Sequence, residues 1–299
     1  MIWFRISITF VLFCLIFIFV SPITALKKLF ECNTRLTFYA VILVPFFLFF
    51  RLCKWFLLAR QADTRIRLME IIPHYLWGMA VGLITPGRLG ELARLRGLNI
   101  TKKQGASLFF LEKFIEFGVI AFLCMTAAIL LGLISFWYFP VTVAGAFVFY
   151  FLALKFIGFP AYIKEIKHEI TKVKITGCLF CTFLCVFIFC VQAFIILRSM
   201  HVNIDADVIF FFPIILTGNF IPITVGGFGI RETIAIVILR QRDIPSEIAM
   251  ASITLVALID LVLPALMGLI MNLYHKPTNS PQGTTTNSGK SGKGNASPD

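Results

Sequence analysis

Arg88, Glu91, Arg231 and Glu232 each stand within a turn or two of a glycine-rich break in a run that is otherwise apolar. The first break lies in ITPGRLGELARLRG (84–97), and the second, in IPITVGGFGIRE (221–232), carries Gly226, Gly227 and Gly229. A charged side chain at bilayer depth costs about 2.5–3.5 kcal/mol on insertion scales, so it faces protein or water and usually has a task. Glycines such as Gly87, Gly90, Gly227 and Gly229 allow backbone conformations that other residues resist, and N–H groups at the start of the outgoing half-helix carry partial positive charge. A phosphate fits there, held by those N–H groups and by a forked contact from Arg88 or Arg94. Glu91 and Glu232 then balance the arginines in the empty site or meet a cationic head group. A plainer alternative has the arginines snorkel to the interface and pair with glutamates one turn on. We prefer it for Arg94 and Arg96, and the functional reading for Arg88 and Glu91.

Other polar residues call for the same weighing. Glu112, Lys113 and Glu116 open an apolar stretch at 107–134, and Glu112 and Glu116 share one helix face. Two like charges there need a cation from the neighbouring break, such as Arg88, or protonation of one of them. Asp260, inside LVALIDLVLPAL, is the most costly residue in the chain to leave unpaired, and it reads as functional or proton-coupled rather than as a simple interhelical pair. His74, His168, His201 and His275 show no metal or triad spacing. Among eight cysteines, Cys178, Cys181 and Cys185 share a helix face without His or carboxylate companions, and read as small packing residues. No metal, disulfide or cofactor is expected.

The elements that position these groups must be membrane helices. The chain has 59% hydrophobic residues, 34 phenylalanines, 14% charged residues and a mean hydropathy of +0.92, more apolar surface than a soluble domain of this size hides. Stretches at 2–20, 36–58, 107–134, 136–157, 175–197 and 248–273 approach or exceed the roughly 20 apolar residues that cross a bilayer. The first is long for a signal peptide and no small-residue cleavage site follows, so it reads as a retained span. A formal charge of +12 suggests nucleic acid in a soluble protein, but here the basic residues flank apolar spans in short loops, where the positive-inside rule explains them. No nucleic-acid partner is expected, and the basic loops touch anionic lipid heads.

Basic stretches at 51–67, 94–103 and 164–174 should all face the cytoplasm. The run between the first two therefore cannot cross; it enters as a half-helix, turns at Pro86 and Gly87 and leaves on the same side, a re-entrant hairpin. Residues 208–240 form a counterpart, and Thr85, Gly87, Leu89 and Gly90 align without a gap on Thr224, Gly226, Phe228 and Gly229. With the amino terminus inside, the second hairpin enters from outside, although Lys27, Lys28, Arg198, Arg240 and Arg242 then also lie outside. The expected fold is all-α: a polytopic bundle of about six full spans plus two re-entrant helical hairpins in inverted orientation, the plan of inverted-repeat transporters. Residues 1–275 read as one transmembrane domain of a plasma (inner) membrane protein and 276–299 as a disordered polar tail, with both termini cytoplasmic.

TPGRLGELARLRGLNITKKQGASLFFLEKFIEFG resembles the first signature of a flippase-like membrane family related to the transmembrane region of lysylphosphatidylglycerol synthase, a P-G-x-x-G-E element before a small-residue helix and a Glu-Arg pair. IPITVGGFGIRETIAIVILRQRDIPSEIAMASITLVALI is similar to its second signature, P-x-x-x-G-G-x-G-x-R-E before the closing helix. The resemblance spans nearly all of the chain outside the tail. It implies an integral membrane protein that handles lipids, the first segment of the larger relatives moving aminoacylated phospholipid between leaflets. Gly87, Gly90, Glu91, Glu112, Gly227, Gly229, Arg231 and Glu232 carry over as motif positions. Lys113 stands where the family often has arginine and Asp260 where a basic residue is common, which leaves the sign of the pocket open. The chain carries no soluble aminoacyl-transfer domain, so any such synthesis belongs to a lipid-modifying enzyme partner. Two readings stand. One is a lipid translocator that holds an anionic phospholipid or a polyprenyl-phosphate-linked lipid between its hairpins, with Arg88, Arg94, Glu112, Glu116, Arg231 and Asp260 at the site. The other is a membrane-embedded enzyme or accessory subunit acting on polyprenyl-phosphate sugars or lipids, with Glu91 or Glu232 as base or metal ligand.

Overall fold

The computed structural model describes residues 27, 31–62, 65–85, 88–98, 100–133, 135, 144–145, 148, 172–220 and 229–274. Among these residues every regular element is helical. In chain order they are α1 (Thr34–Ala62), α2 (Leu68–Ile84), a 3₁₀ helix (Leu89–Gly97), α3 (Lys102–Leu130), α4 (Lys172–Ser199), a 3₁₀ turn (Ala206–Phe210), α5 (Phe211–Leu216), a second 3₁₀ turn (Thr217–Phe220), α6 (Ile230–Leu239), a third 3₁₀ turn (Arg240–Arg242), α7 (Ser246–Ala257), a π-helical segment (Leu258–Val262) and α8 (Leu263–Tyr274). Thr34–Arg60, Gln104–Leu130, Ile175–Ser199 and Ser246–Leu273 are long and apolar enough to cross a membrane. They bear out four of the expected spans. The expected span at 2–20 lies outside the described residues, 136–157 lies almost wholly outside them, and so does the tail. Phe38, Phe46 and Phe49 of α1 and Phe180, Phe183 and Phe187 of α4 point outward from the bundle, as lipid-facing side chains do.

Local chemistry sets the ends of these helices. Thr101 accepts from the Gln104 N–H at 3.3 Å while the Gln104 side chain accepts from the Thr101 N–H at 3.0 Å, a capping box that starts α3. Pro264 cannot donate to the carbonyl four residues earlier, that of Asp260, and its ring crowds it; the π-helical turn just before α8 takes up that mismatch. The last span is thus wider at the turn that carries Asp260.

α1 and α4 run antiparallel in close contact, with the Asn33 N–H donating to the Ser199 carbonyl at 2.8 Å and the Cys185 and Cys178 thiols at 3.8 Å from the Phe47 and Lys54 carbonyls. The cysteine face therefore packs against α1. α8 crosses α2 so tightly that a Cβ on Gly268 would lie 2.2 Å from the Leu76 carbonyl oxygen.

Two antiparallel folds of the chain fill the space between the long helices. In the first, α2 and the 3₁₀ helix approach through glycines: a Cβ on Gly78 would lie 2.9 Å from the Arg94 Cβ, on Gly82 2.7 Å from the Glu91 Cγ, and on Gly90 2.4 Å from the Val81 carbonyl. The outgoing arm is 3₁₀ where a half α-helix was expected. In the second, Gly218 packs against Arg231 near the turn, and an Asp207–Arg242 ion pair ties the open end. The open end of the first sits at the carboxyl end of α1, in one apolar cluster with Trp55, Ala59, Ile66 and Leu98. The open end of the second sits at the other end of the bundle, where Leu197, Met200, Val208, Leu239 and Ile244 cluster. The two folds point at each other from opposite ends.

Candidate functional site

Where they meet, side chains from every long helix enclose a cavity of about 130 Å³. Arg51 and Lys54 reach it from α1, Arg88 from the turn of the first fold, Lys113 and Glu116 from α3, Arg231 from α6 and Asp260 from the π-helical turn. Its other flank is apolar, made by Phe47, Ile120, Val186, Phe189, Leu216 and Phe220. Phe117 of α3 and Phe220 stack edge to face with ring centroids 5.2 Å apart, tying α3 to the turn of the second fold.

One continuous ion network runs along the polar wall. Arg94 pairs with Glu112, Glu112 with Lys54 at 3.2 Å, Lys54 with Glu116, Glu116 with Lys113 at 3.1 Å, Lys113 with Glu91 at 3.0 Å, and Glu91 with Arg88 at 3.2 Å. Arg94 is further enclosed by aromatic faces, its guanidinium 3.8 Å from the Trp55 ring centroid and 5.5 Å from those of Tyr75 and Phe109. Glu91 lies outside the four long spans; burial works against its charge, but Lys113, Arg88, Arg94 and Arg51 outweigh it and hold the carboxyl below the ordinary carboxylate range.

Two cations remain weakly matched. Arg51 lies 4.0 Å from Glu91, and Arg231 lies 3.7 Å from Glu232 and donates to the Ile253 carbonyl over a long 3.4 Å. Arg88 adopts the left-handed conformation with φ 57°, uncommon for a residue with a side chain. Strain of this kind is retained where the surroundings fix it, and here it aims a guanidinium into the cavity. The cationic groups outnumber the carboxylates that face the same space, so the cavity suits an anion.

The structure thus brings Arg88, Glu91, Glu116, Arg231 and Asp260 to one place, with Glu112 behind them in the same network. Arg94 is not a snorkelling interface residue; it is 2% exposed and bonded to Glu112 across to another helix, because Trp55 and Glu112 together offer it more than water can at that depth. Gly90 and Gly229 have their N–H groups engaged, by Thr85 Oγ1 at 2.7 Å and by Glu232 Oε2 at 2.7 Å, so they shape the turns instead of presenting donors. Gly87 and Gly227 lie outside the described residues. Arg51 and Lys54 correct a second reading: counted with the cytoplasmic loop charges, they are buried inside α1 and belong to the site. The clue was available, since both fall within the apolar run at 36–58. Gln192, which donates to Asp260, carried no such signal.

A family model described as "Lysylphosphatidylglycerol synthase TM region" matches residues 2–268. The chain belongs to that family. Neither a curated protein nor a solved structure matches it. Membership in the lysylphosphatidylglycerol synthase TM region family and the long apolar helices together make this a multi-pass membrane protein, consistent with a lipid-related function.

Proposed function

We propose that this protein moves an anionic lipid, a phospholipid or a polyprenyl-phosphate-linked lipid, from one leaflet to the other. The observation that carries the reading is the cavity at which the two opposed folds meet, where Arg51, Arg88 and Arg231 face one space and Arg51 and Arg231 have only long carboxylate contacts. At about 130 Å³ it is well below the roughly 300–1,000 Å³ that encloses a drug-sized ligand, so it takes a head group and leaves the acyl chains in the bilayer. Both folds dip into the membrane as re-entrant hairpins, the first from the cytoplasm and the second from outside, and their rocking opens the cavity to each leaflet in turn. Glu91, Glu112 and Glu116 hold the cations in register, and Glu232 fixes the start of α6. The protein resides in the plasma membrane with both termini cytoplasmic, and a separate lipid-modifying enzyme supplies the substrate.

The test is reconstitution into vesicles with head-group-labelled phosphatidylglycerol and a membrane-impermeant quencher. Wild-type protein should expose labelled lipid from the inner leaflet faster than empty vesicles, and Arg88→Ala and Arg231→Ala should abolish the gain. Normal exchange in both variants would remove the cavity from the mechanism, and a chemically altered lipid recovered from the vesicles would mark an enzyme instead.

A further inference from the structure

Asp260 and Gln192 meet at the cavity's edge from two different spans. Asp260, on the π-helical turn, is 3% exposed, and Gln192, on α4, is fully buried. A carboxylate only accepts, so their 2.9 Å hydrogen bond runs from Gln192 Nε2 to Asp260 Oδ1. The remaining oxygens of the same two groups, Gln192 Oε1 and Asp260 Oδ2, are both buried, and neither has a donor among the described residues. Two orphaned acceptors on already bonded partners are an arrangement that folded interiors avoid. A single proton removes both faults: on Asp260 Oδ2 it makes a neutral acid whose O–H donates to Gln192 Oε1, closing a cyclic acid–amide pair with every polar atom matched.

We propose that Asp260 is a proton-binding site, its acid form locked against Gln192, and that the cavity takes up this proton together with its anion. The second half rests on the anion-binding reading above. The charged and titratable groups around Asp260 set the sign. Arg51 and Lys54 line the same cavity from α1, Arg88 from the turn of the first fold, Arg231 with Glu232 behind it from α6, Glu116 and Lys113 from α3, and Cys185 from α4. No cation among the described residues comes within 4.0 Å of the Asp260 carboxylate, so none replaces the proton by a direct ion pair. In the empty cavity the surplus of cations favours loss of the proton to water. A phosphate set among Arg51, Arg88 and Arg231 cancels that field, and the proton is then held more tightly. By reciprocity the anion binds better once the proton is on, so lipid and proton travel in the same direction.

Infrared difference spectra of the full chain in phosphatidylglycerol vesicles, recorded as the pH is stepped, read the proton directly. The wild type should show a protonated carboxyl band that grows as pH falls and is missing from Asp260→Asn, whose amide keeps the pairing with Gln192 but has nothing to titrate. In the labelled-lipid assay the wild-type exchange rate should rise several-fold as pH falls, while Asp260→Asn follows a flat pH profile. A band that persists in Asp260→Asn, no such band in the wild type, or a wild-type pH profile in the variant would each overturn the proposal. If the Asp260-dependent band appears but the wild type exchanges no lipid, the proton site stands and translocation fails.

Discussion

Arg51 and Arg94 are both buried guanidinium groups on the same polar wall, yet their surroundings assign them different work. Arg94 is bonded to Glu112 and covered by Trp55, so removing it leaves that buried carboxylate to Lys54 alone, which Glu116 shares, and empties the space under the indole; breaking a buried pair costs up to about 3–5 kcal/mol. Arg94→Ala should therefore lower the thermal unfolding midpoint in detergent by many degrees. Arg51 and Arg231 have only long carboxylate contacts, and Glu91 keeps Arg88 and Lys113 when Arg51 is lost. Arg51→Ala should stay folded close to the wild-type midpoint but bind phosphatidylglycerol roughly tenfold or more weakly, since one charge-assisted hydrogen bond is worth about 1.5–3 kcal/mol, whereas Arg231→Ala, which leaves the buried Glu232 without its cation, should lose both affinity and stability. If Arg51→Ala and Arg94→Ala lose stability to the same extent and both keep lipid affinity, the network is only a brace.

At the scale of elements, glycine decides how near the helices lie. A methyl group on Gly268 would meet the Leu76 carbonyl oxygen at 2.2 Å and its carbon at 2.4 Å, backbone atoms that cannot swing aside. Gly268→Ala should force α8 away from α2 and leave little monodisperse protein by size-exclusion chromatography. Gly132 is the control: its φ is 71° but no atom lies within 4 Å of the added methyl, so Gly132→Ala should cost only the backbone term of about 1–2 kcal/mol. The long helices were legible because apolar length alone specifies a span, and the first fold was legible because Pro86 and Gly87 interrupt a run too short to cross between two basic stretches. The site was half legible. Arg88, Glu91, Glu116, Arg231 and Asp260 stand out as charges in apolar runs, but Arg51 and Lys54 were absorbed into a count of loop charges that ignores depth. Which carboxylate each cation meets was beyond reading, since Lys54 and Glu116 lie 62 positions apart and only tertiary packing joins them. The 3₁₀ form of Leu89–Gly97 was equally hidden; it follows from the close contacts with Gly78 and Gly82, which the local sequence does not encode.

For the whole molecule, the opposed folds impose a sidedness that can be measured. The carboxyl end of α1, the open end of the first fold and the starts of α3 and α4 gather at one end of the bundle, which places Arg60, Arg65, Arg67 and Arg96 together there. Net positive loops tend to stay in the cytoplasm, so the proposed topology makes this end cytoplasmic and the turn at Arg240–Arg242 external. Glu70, Arg96 and Gln241 are all exposed. With the eight native cysteines replaced by alanine, Glu70→Cys and Arg96→Cys should react with a membrane-impermeant maleimide only when the cytoplasmic face is open to it, and Gln241→Cys only from the other side. If positions 70 and 96 label from opposite faces, the intervening segment crosses the bilayer, the first hairpin is a span, and the meeting of two opposed turns at midplane cannot be the basis of transport.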